Sequence, residues 1–174
     1  INIEGEARLS GQIHTKAFHI VGGCLRTLLP TRHPLSFDAS IAFEQSYGGI
    51  DGDSASAAQV CVLVSALARL PLDQGIAITG AVDQRGNILP VGAVNEKIEG
   101  FFDLCASQGL TGGQGCILPR SNVGDLMLRR DVVAACRDGR FHVWAVDHVS
   151  EALALLVGRD SGWGDDGDYE EGTV

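Results

Sequence analysis

Apolar residues recur along this chain with two different periods, and proline or glycine closes nearly every run. A period of 3.6 marks residues 11–29, where Ile13, Ala17, Ile20, Val21, Leu25 and Leu28 share one helical face before Pro30. A period of two marks residues 37–43, where Phe37, Ala39, Ile41 and Phe43 predict a half-buried strand. Residues 54–70 predict a largely buried helix stopped by Pro71, and residues 75–82 a short apolar strand. The polar turn at 83–87 leads into Ile88 and Leu89 as a hairpin. The spacing then predicts a helix over 95–108 with Gly109 as its C-cap, a strand over 114–118, a helix over 131–137, a strand over 141–146 and a helix over 149–157. Residues 1–6 read as strand-like or linker. Strands alternating with helices imply the α/β (α+β) class, a mixed β-sheet with flanking helices.

At 174 residues and 45% hydrophobic content, the chain suits one compact domain, expected over residues 1–158. Residues 159–174 change character: glycines interleave with Asp165, Asp166, Asp168, Glu170 and Glu171, and the expectation is a disordered acidic tail. Asp166-Gly167-Asp168 has the look of a calcium loop, but too few residues follow to complete one. The chain opens on Ile1 rather than Met, as expected of a piece of a longer protein.

Composition also excludes function classes. Counterion-driven binding to nucleic acid needs clustered cations. Here the net charge is −9 and the only lysines are Lys16 and Lys97, so nucleic acid is not an expected partner. No apolar run reaches the roughly 18 residues of a membrane span, and no secretory leader is expected from the opening residues. Five cysteines, an odd number without a CxxC pair, make neither a disulfide framework nor a zinc site; they fit a reducing cytoplasm. His14 and His19 are five apart, off the i, i+4 spacing of helical ligands, so no metal and no cofactor is expected in this domain.

Two segments carry chemistry. In Tyr47-Gly48-Gly49-Ile50-Asp51-Gly52-Asp53-Ser54-Ala55-Ser56-Ala57, a serine sits where a glycine-rich loop runs into a helix. Unpaired N–H groups at a helix start carry partial positive charge and can hold an oxyanion beside a serine nucleophile. Ser54 or Asp53 could equally serve as the helix N-cap. The second segment, Asn95-Glu96-Lys97-Ile98-Glu99, offers a base. A lysine serves as one where desolvation lowers its pKa. Val91, Val94, Ile98, Phe101 and Phe102 flank Lys97 in sequence, which predicts such burial, and a helix start adds to the effect. A histidine partner for the serine, His142 or His148, stays open, because triads are recognised in space.

Taken together, Asp51-Gly52-Asp53-Ser54-Ala55-Ser56, then Thr79-Gly80, Arg85-Gly86-Asn87-Ile88-Leu89-Pro90-Val91-Gly92 and Asn95-Glu96-Lys97 resemble the proteolytic domain of Lon proteases, peptidase family S16. Lys97 follows Ser54 by 43 positions, in agreement with the family's spacing, and the resemblance runs from about Leu9 to Val157. It implies a serine-type endopeptidase with Ser54 as nucleophile and Lys97 as base. It further implies Thr79 as the hydroxyl that holds the lysine amine, and Asp51 and Asp53 in supporting places. Asp53 stands where A-type members have proline, and the segment 40–45 lacks their histidines; both features resemble the B-type branch and bacterial Lon-like proteins.

The same resemblance implies unfolded or damaged proteins as substrates, a homo-hexamer, and ATP with Mg bound only by an ATPase region N-terminal to this one. No Walker A loop lies in this chain. The rival expectation is a Lon-fold domain that is latent or inactive and serves as an assembly scaffold in an ATP-driven complex.

Overall fold

The computed structural model of the chain describes residues 1–29, 36–44 and 46–159. The acidic tail and its calcium-like fragment lie outside the described residues. Ordered along the chain are α1 (Ile3–Glu6), α2 (Gln12–Leu28), α3 (Ser56–Ala68), β1 (Ile76–Ile78), β2 (Ala81–Val82) and β3 (Ile88–Leu89). There follow α4 (Val94–Gln108), β4 (Gly115–Pro119), a 3-10 turn (Arg120–Asp125), α5 (Arg130–Arg137), β5 (His142–Val146) and α6 (Val149–Val157).

Strand β4 lies at the centre of a three-stranded parallel sheet of order β1-β4-β5, and β2 and β3 pair separately as an antiparallel hairpin. The class is therefore α/β, as the alternation predicted. Register pairs Ala77 with Cys116 and Cys116 with Val143. Because side chains alternate across a strand, each strand feeds two cores. Ile76, Ile78, Ile117 and Trp144 face one core with α2, α3 and α6, built on Val21, Cys24, Val60, Cys61, Val149 and Leu153. Ala77, Cys116, Leu118 and Val143 face the other with α4 and α5, built on Ile98, Phe102, Val132 and Phe141. All five residues of β4 are buried, as a parallel strand covered on both faces must be. A Cβ at Gly115 would collide with the His142 carbonyl, so β4 enters the sheet through a residue without one.

The helix predicted over 11–29 and that over 149–157 form as expected, and Gly109 closes α4. Three expectations are revised. Residues 37–43 form no strand; Ile41 alone bridges to Asn2, because no second strand lies alongside to extend the pairing. Residues 3–6 are a helical turn rather than extended, since the Asn2 side chain accepts the Gly5 N–H and caps it. The strand predicted over 75–82 is split at Thr79 and Gly80, and the bonds made there position the site described below.

The five cysteines are free, and Cys24, Cys61, Cys105 and Cys116 are buried. Burial pushes the Cys61 thiol up to about 12, so it behaves as a small hydrophobe. Among the described residues, no helix is long and apolar enough to cross a membrane, and no cluster could hold a metal ion.

Phe141 is fully buried, and its ring stands edge-on to Phe102 at 5.2 Å. Phe141→Ala should lower the unfolding free energy by about 3–5 kcal/mol, read as a lower urea midpoint at unchanged slope.

Candidate active site

Thr79 follows β1 at its carboxyl end, and its N–H donates to the Ile117 carbonyl at 3.0 Å. The carboxyl ends of parallel strands are where open α/β sheets place ligands. From α4, Lys97 Nζ donates to Thr79 Oγ1 at 3.4 Å, a long contact. A cavity of about 210 Å³ opens at this point, lined by Ser54, Ala55, Thr79, Lys97, Ile98 and Cys116, with Ala77, Ile78 and Ile117 completing its wall. Ser54 and Lys97, distant in sequence, thus share one cavity with Thr79.

The turn bearing Ser54 is held from two sides. Toward the sheet, Gly80 N–H donates to the Ser54 carbonyl at 2.9 Å, and Ala57 N–H donates to the Gly80 carbonyl at 3.1 Å. Ser56 N–H donates to the Asp53 carbonyl at 2.9 Å. The N–H groups of Ser54 and Ala55 have no partner among the described residues. The helix α3 starts at Ser56, with Ala55 as an N-cap that makes no side-chain bond. Ser54 and Asp53 are therefore not capping residues, which removes the plainer reading of both.

Toward α2, the loop is tied at Asp51. Its Oδ1 accepts the Ile13 and His14 N–H groups, each at 3.0 Å, and so caps α2, whose own N-cap Gly11 has no side chain. A Cβ at Gly11 would overlap the Asp51 carboxylate. Gly11 N–H donates to the Ile50 carbonyl at 2.7 Å, and Ile50 N–H to the Leu9 carbonyl at 2.8 Å. Backbone N–H groups of Gly52, His14 and Ile13 hold the Asp51 carboxyl below the usual carboxylate range. Asp51 thus orders the loop and its recorded contacts are with α2 rather than Lys97. Asp53 is exposed and contributes its carbonyl to the turn.

One expectation about the lysine needs correction: Lys97 is exposed in the single chain. Its sequence neighbours Val94, Ile98 and Phe102 are buried, but a helix turns about 100° per residue, and Lys97 sits at the edge of the face they form. The two candidate histidines, His142 and His148, do not reach the site. His142 stacks on Trp144 with Nε2 at 2.8 Å from the Gly112 carbonyl, and His148 caps α6 with Glu151. Neither lines the cavity.

Sequence reasoning named Ser56 and Gly80 within the motifs but gave neither a role. Ser56 is buried, and its Oγ accepts the Val82 N–H at 2.9 Å. Of the two serines in Ser54-Ala55-Ser56, only Ser54 lines the cavity. The Thr79-Gly80 pair among the spaced motifs was the signal for Gly80, inside a run predicted as one continuous strand.

The α/β domain that carries this cavity also matches a known family in its sequence. Residues 41–159 match the family model of the Lon protease (S16) C-terminal proteolytic domain. The chain is 51% identical over 156 residues to a protein of Escherichia coli (strain K12) named "Putative Lon protease homolog", covering 90% of this chain and 27% of that one. A protein of the same name from Haemophilus influenzae is 51% identical over 160 residues, covering 92% of this chain and 27% of the relative. An Archaeal Lon protease of Methanothermobacter thermautotrophicus is 40% identical over 95 residues, covering 55% and 14%. The chain belongs to the Lon protease C-terminal proteolytic domain family, and it spans about a quarter of the length of the bacterial relatives it matches.

The depressed Asp51 carboxyl sets a pH dependence. A carboxylate with a lowered folded pKa adds stability above its unfolded value, about 3.9, and loses it as pH falls through the folded one. Asp51→Ala should melt below the parent at neutral pH, and the difference between the two should shrink progressively below about pH 4, measured by thermal melts across pH.

Proposed function

We propose that this chain is the serine endopeptidase domain of an ATP-dependent Lon-like protease, with Ser54 as nucleophile and Lys97 as general base. The observation that carries the reading is the shared cavity of Ser54 and Lys97, with Lys97 Nζ against Thr79 Oγ1. In this mechanism neutral Lys97 takes the Ser54 hydroxyl proton as Oγ attacks a peptide carbonyl. The N–H groups of the 54–55 turn hold the oxyanion of the tetrahedral intermediate. Lys97 returns the proton to the leaving amine, and water, deprotonated in the same way, hydrolyses the acyl-enzyme. Thr79 orients the lysine amine, and Asp51 keeps the loop on α2.

The substrates we assign are unfolded or damaged proteins, which expose the extended backbone that such a turn requires. A homo-hexamer in the cytoplasm, fed by an ATPase region that binds ATP and Mg outside this domain, completes the proposal; neither nucleic acid nor membrane takes part. A second reading draws support from the exposure of Lys97: an exposed amine stays hydrated, and the isolated domain would then be latent until neighbouring copies or regions shield it. Retention of both Ser54 and Lys97 favours latency over a scaffold without chemistry.

Ser54→Ala and Lys97→Ala in the full-length protein should each reduce cleavage of an unfolded substrate by about 10⁴-fold or more, with assembly intact on size-exclusion chromatography. Cleavage that survives Ser54→Ala overturns the assignment of the nucleophile. Thr79→Val should cost about 10- to 100-fold in kcat. If the domain alone is inactive while the full-length protein cleaves, the latent reading holds for the isolated domain.

A further inference from the structure

We propose that Ser56 is a positioning residue for the reaction assigned to Ser54, its buried hydroxyl locking the nucleophile turn onto the strand end that carries Thr79. The proposal rests on the Ser54–Lys97 reading. Ser56 is 1% exposed, and Ala57, Val60 and Val82 are buried likewise. Its hydroxyl does not cap α3, because the N-cap is Ala55 and makes no side-chain bond. Instead Ser56 Oγ accepts the Val82 N–H at 2.9 Å, a fully buried bond between residues 26 positions apart.

That bond is the third of a set. Gly80 N–H to the Ser54 carbonyl, at 2.9 Å, and Ala57 N–H to the Gly80 carbonyl, at 3.1 Å, are the other two. Together they fasten residues 54–57 to residues 80–82. Thr79 immediately precedes Gly80, and Lys97 donates to Thr79. The serine and the lysine come from separate elements, yet both are referenced to the same few residues at the end of β1. Two of the three bonds join backbone to backbone. Ser56 Oγ is the side-chain member of the set, and therefore the one a substitution can remove.

Without the hydroxyl, the Val82 N–H is left buried and unpaired. The first turn of α3 can then relax away from β2 to admit water, and Ser54 moves with it relative to Thr79 and Lys97. A displacement of about 1 Å in a catalytic pair lowers a rate by about 100-fold. The loss falls on the chemical step, since Ser56 is sealed from the cavity and touches no substrate.

The test uses the full-length protein with ATP and a fluorogenic unfolded substrate, comparing Ser56→Ala, Ser56→Thr and Ser56→Val. Ser56→Ala should lower kcat about 10- to 100-fold while KM changes by less than about twofold. Threonine and valine have nearly the same shape, and only threonine keeps the acceptor. Ser56→Thr should recover most of the lost kcat, and Ser56→Val should not, at similar melting temperatures. Parental kcat in Ser56→Ala, or equal kcat in the threonine and valine variants, overturns the proposal while leaving the dyad standing. If the branched side chains prevent folding, Ser56→Cys, with a weak sulfur acceptor of close volume, replaces them, and a kcat no higher than that of Ser56→Ala counts against the idea. Cleavage surviving Ser54→Ala defeats the dyad reading whatever Ser56 does, and a parent that cleaves nothing defeats both.

Discussion

Strand β4 is buried along all five of its residues, and a strand so placed must satisfy two edges and two faces at once. Its edges pair in parallel with β1 and β5. Its faces divide the apolar side chains between two cores, Cys116 and Leu118 on one side and Ile117 on the other. Parallel strands require crossover connections. One of these carries α4 with Lys97, and the segment leaving β1 carries Thr79 and Gly80. The cavity exists where it does because β1 ends there, against the start of α4. A site built in this way inherits its rigidity from the sheet rather than from the glycine-rich loop that precedes Ser54.

That loop obtains order by borrowing. Asp51 caps α2 in place of a side chain that Gly11 lacks, and Ile50 exchanges backbone hydrogen bonds with Leu9 and Gly11. On its far side the turn is fastened to Gly80 and Val82. A segment rich in glycine can thread between two rigid bodies, and the hydrogen bonds at its ends then fix what its own residues leave free. The carboxyl of Asp51 is stabilised in its charged form by the N–H groups it caps, so the loop's anchorage to α2 is electrostatic as well as geometric.

Much of this was legible in the sequence, for identifiable reasons. The helix over residues 12–28 declared itself through its period, and the hairpin at 81–89 through its polar turn, because both are local properties. The pairing of Ser54, Thr79 and Lys97 was reached through spaced motifs. The failures concern partnership. Alternation at residues 37–43 specifies which side chains face inward but supplies no neighbouring strand, and Ile41 makes a single bridge opposite Asn2, through backbone bonds to Ile1 and Ile3. Apolar neighbours in sequence do not enclose Lys97, since on a helix they are spread around the axis and only one arc of it is buried. The role of Ser56 was invisible for a related reason: whether a serine hydroxyl faces solvent or a strand N–H 26 positions away is decided by packing.

The parallel order β1-β4-β5 has a consequence in time as well as in space. Non-local pairings must absorb the entropy of closing their loops before contacts reward them, and they form late. Ser54 and Lys97 line one cavity whose wall includes Cys116 and Ile117 of β4, so that wall is incomplete until β4 lies between β1 and β5. During synthesis, a chain that has emerged as far as Lys97 still lacks the strand against which the cavity closes. The cavity lined by Ser54 and Lys97 is therefore complete only when the sheet is, and a half-made molecule holds both side chains without the cavity they share.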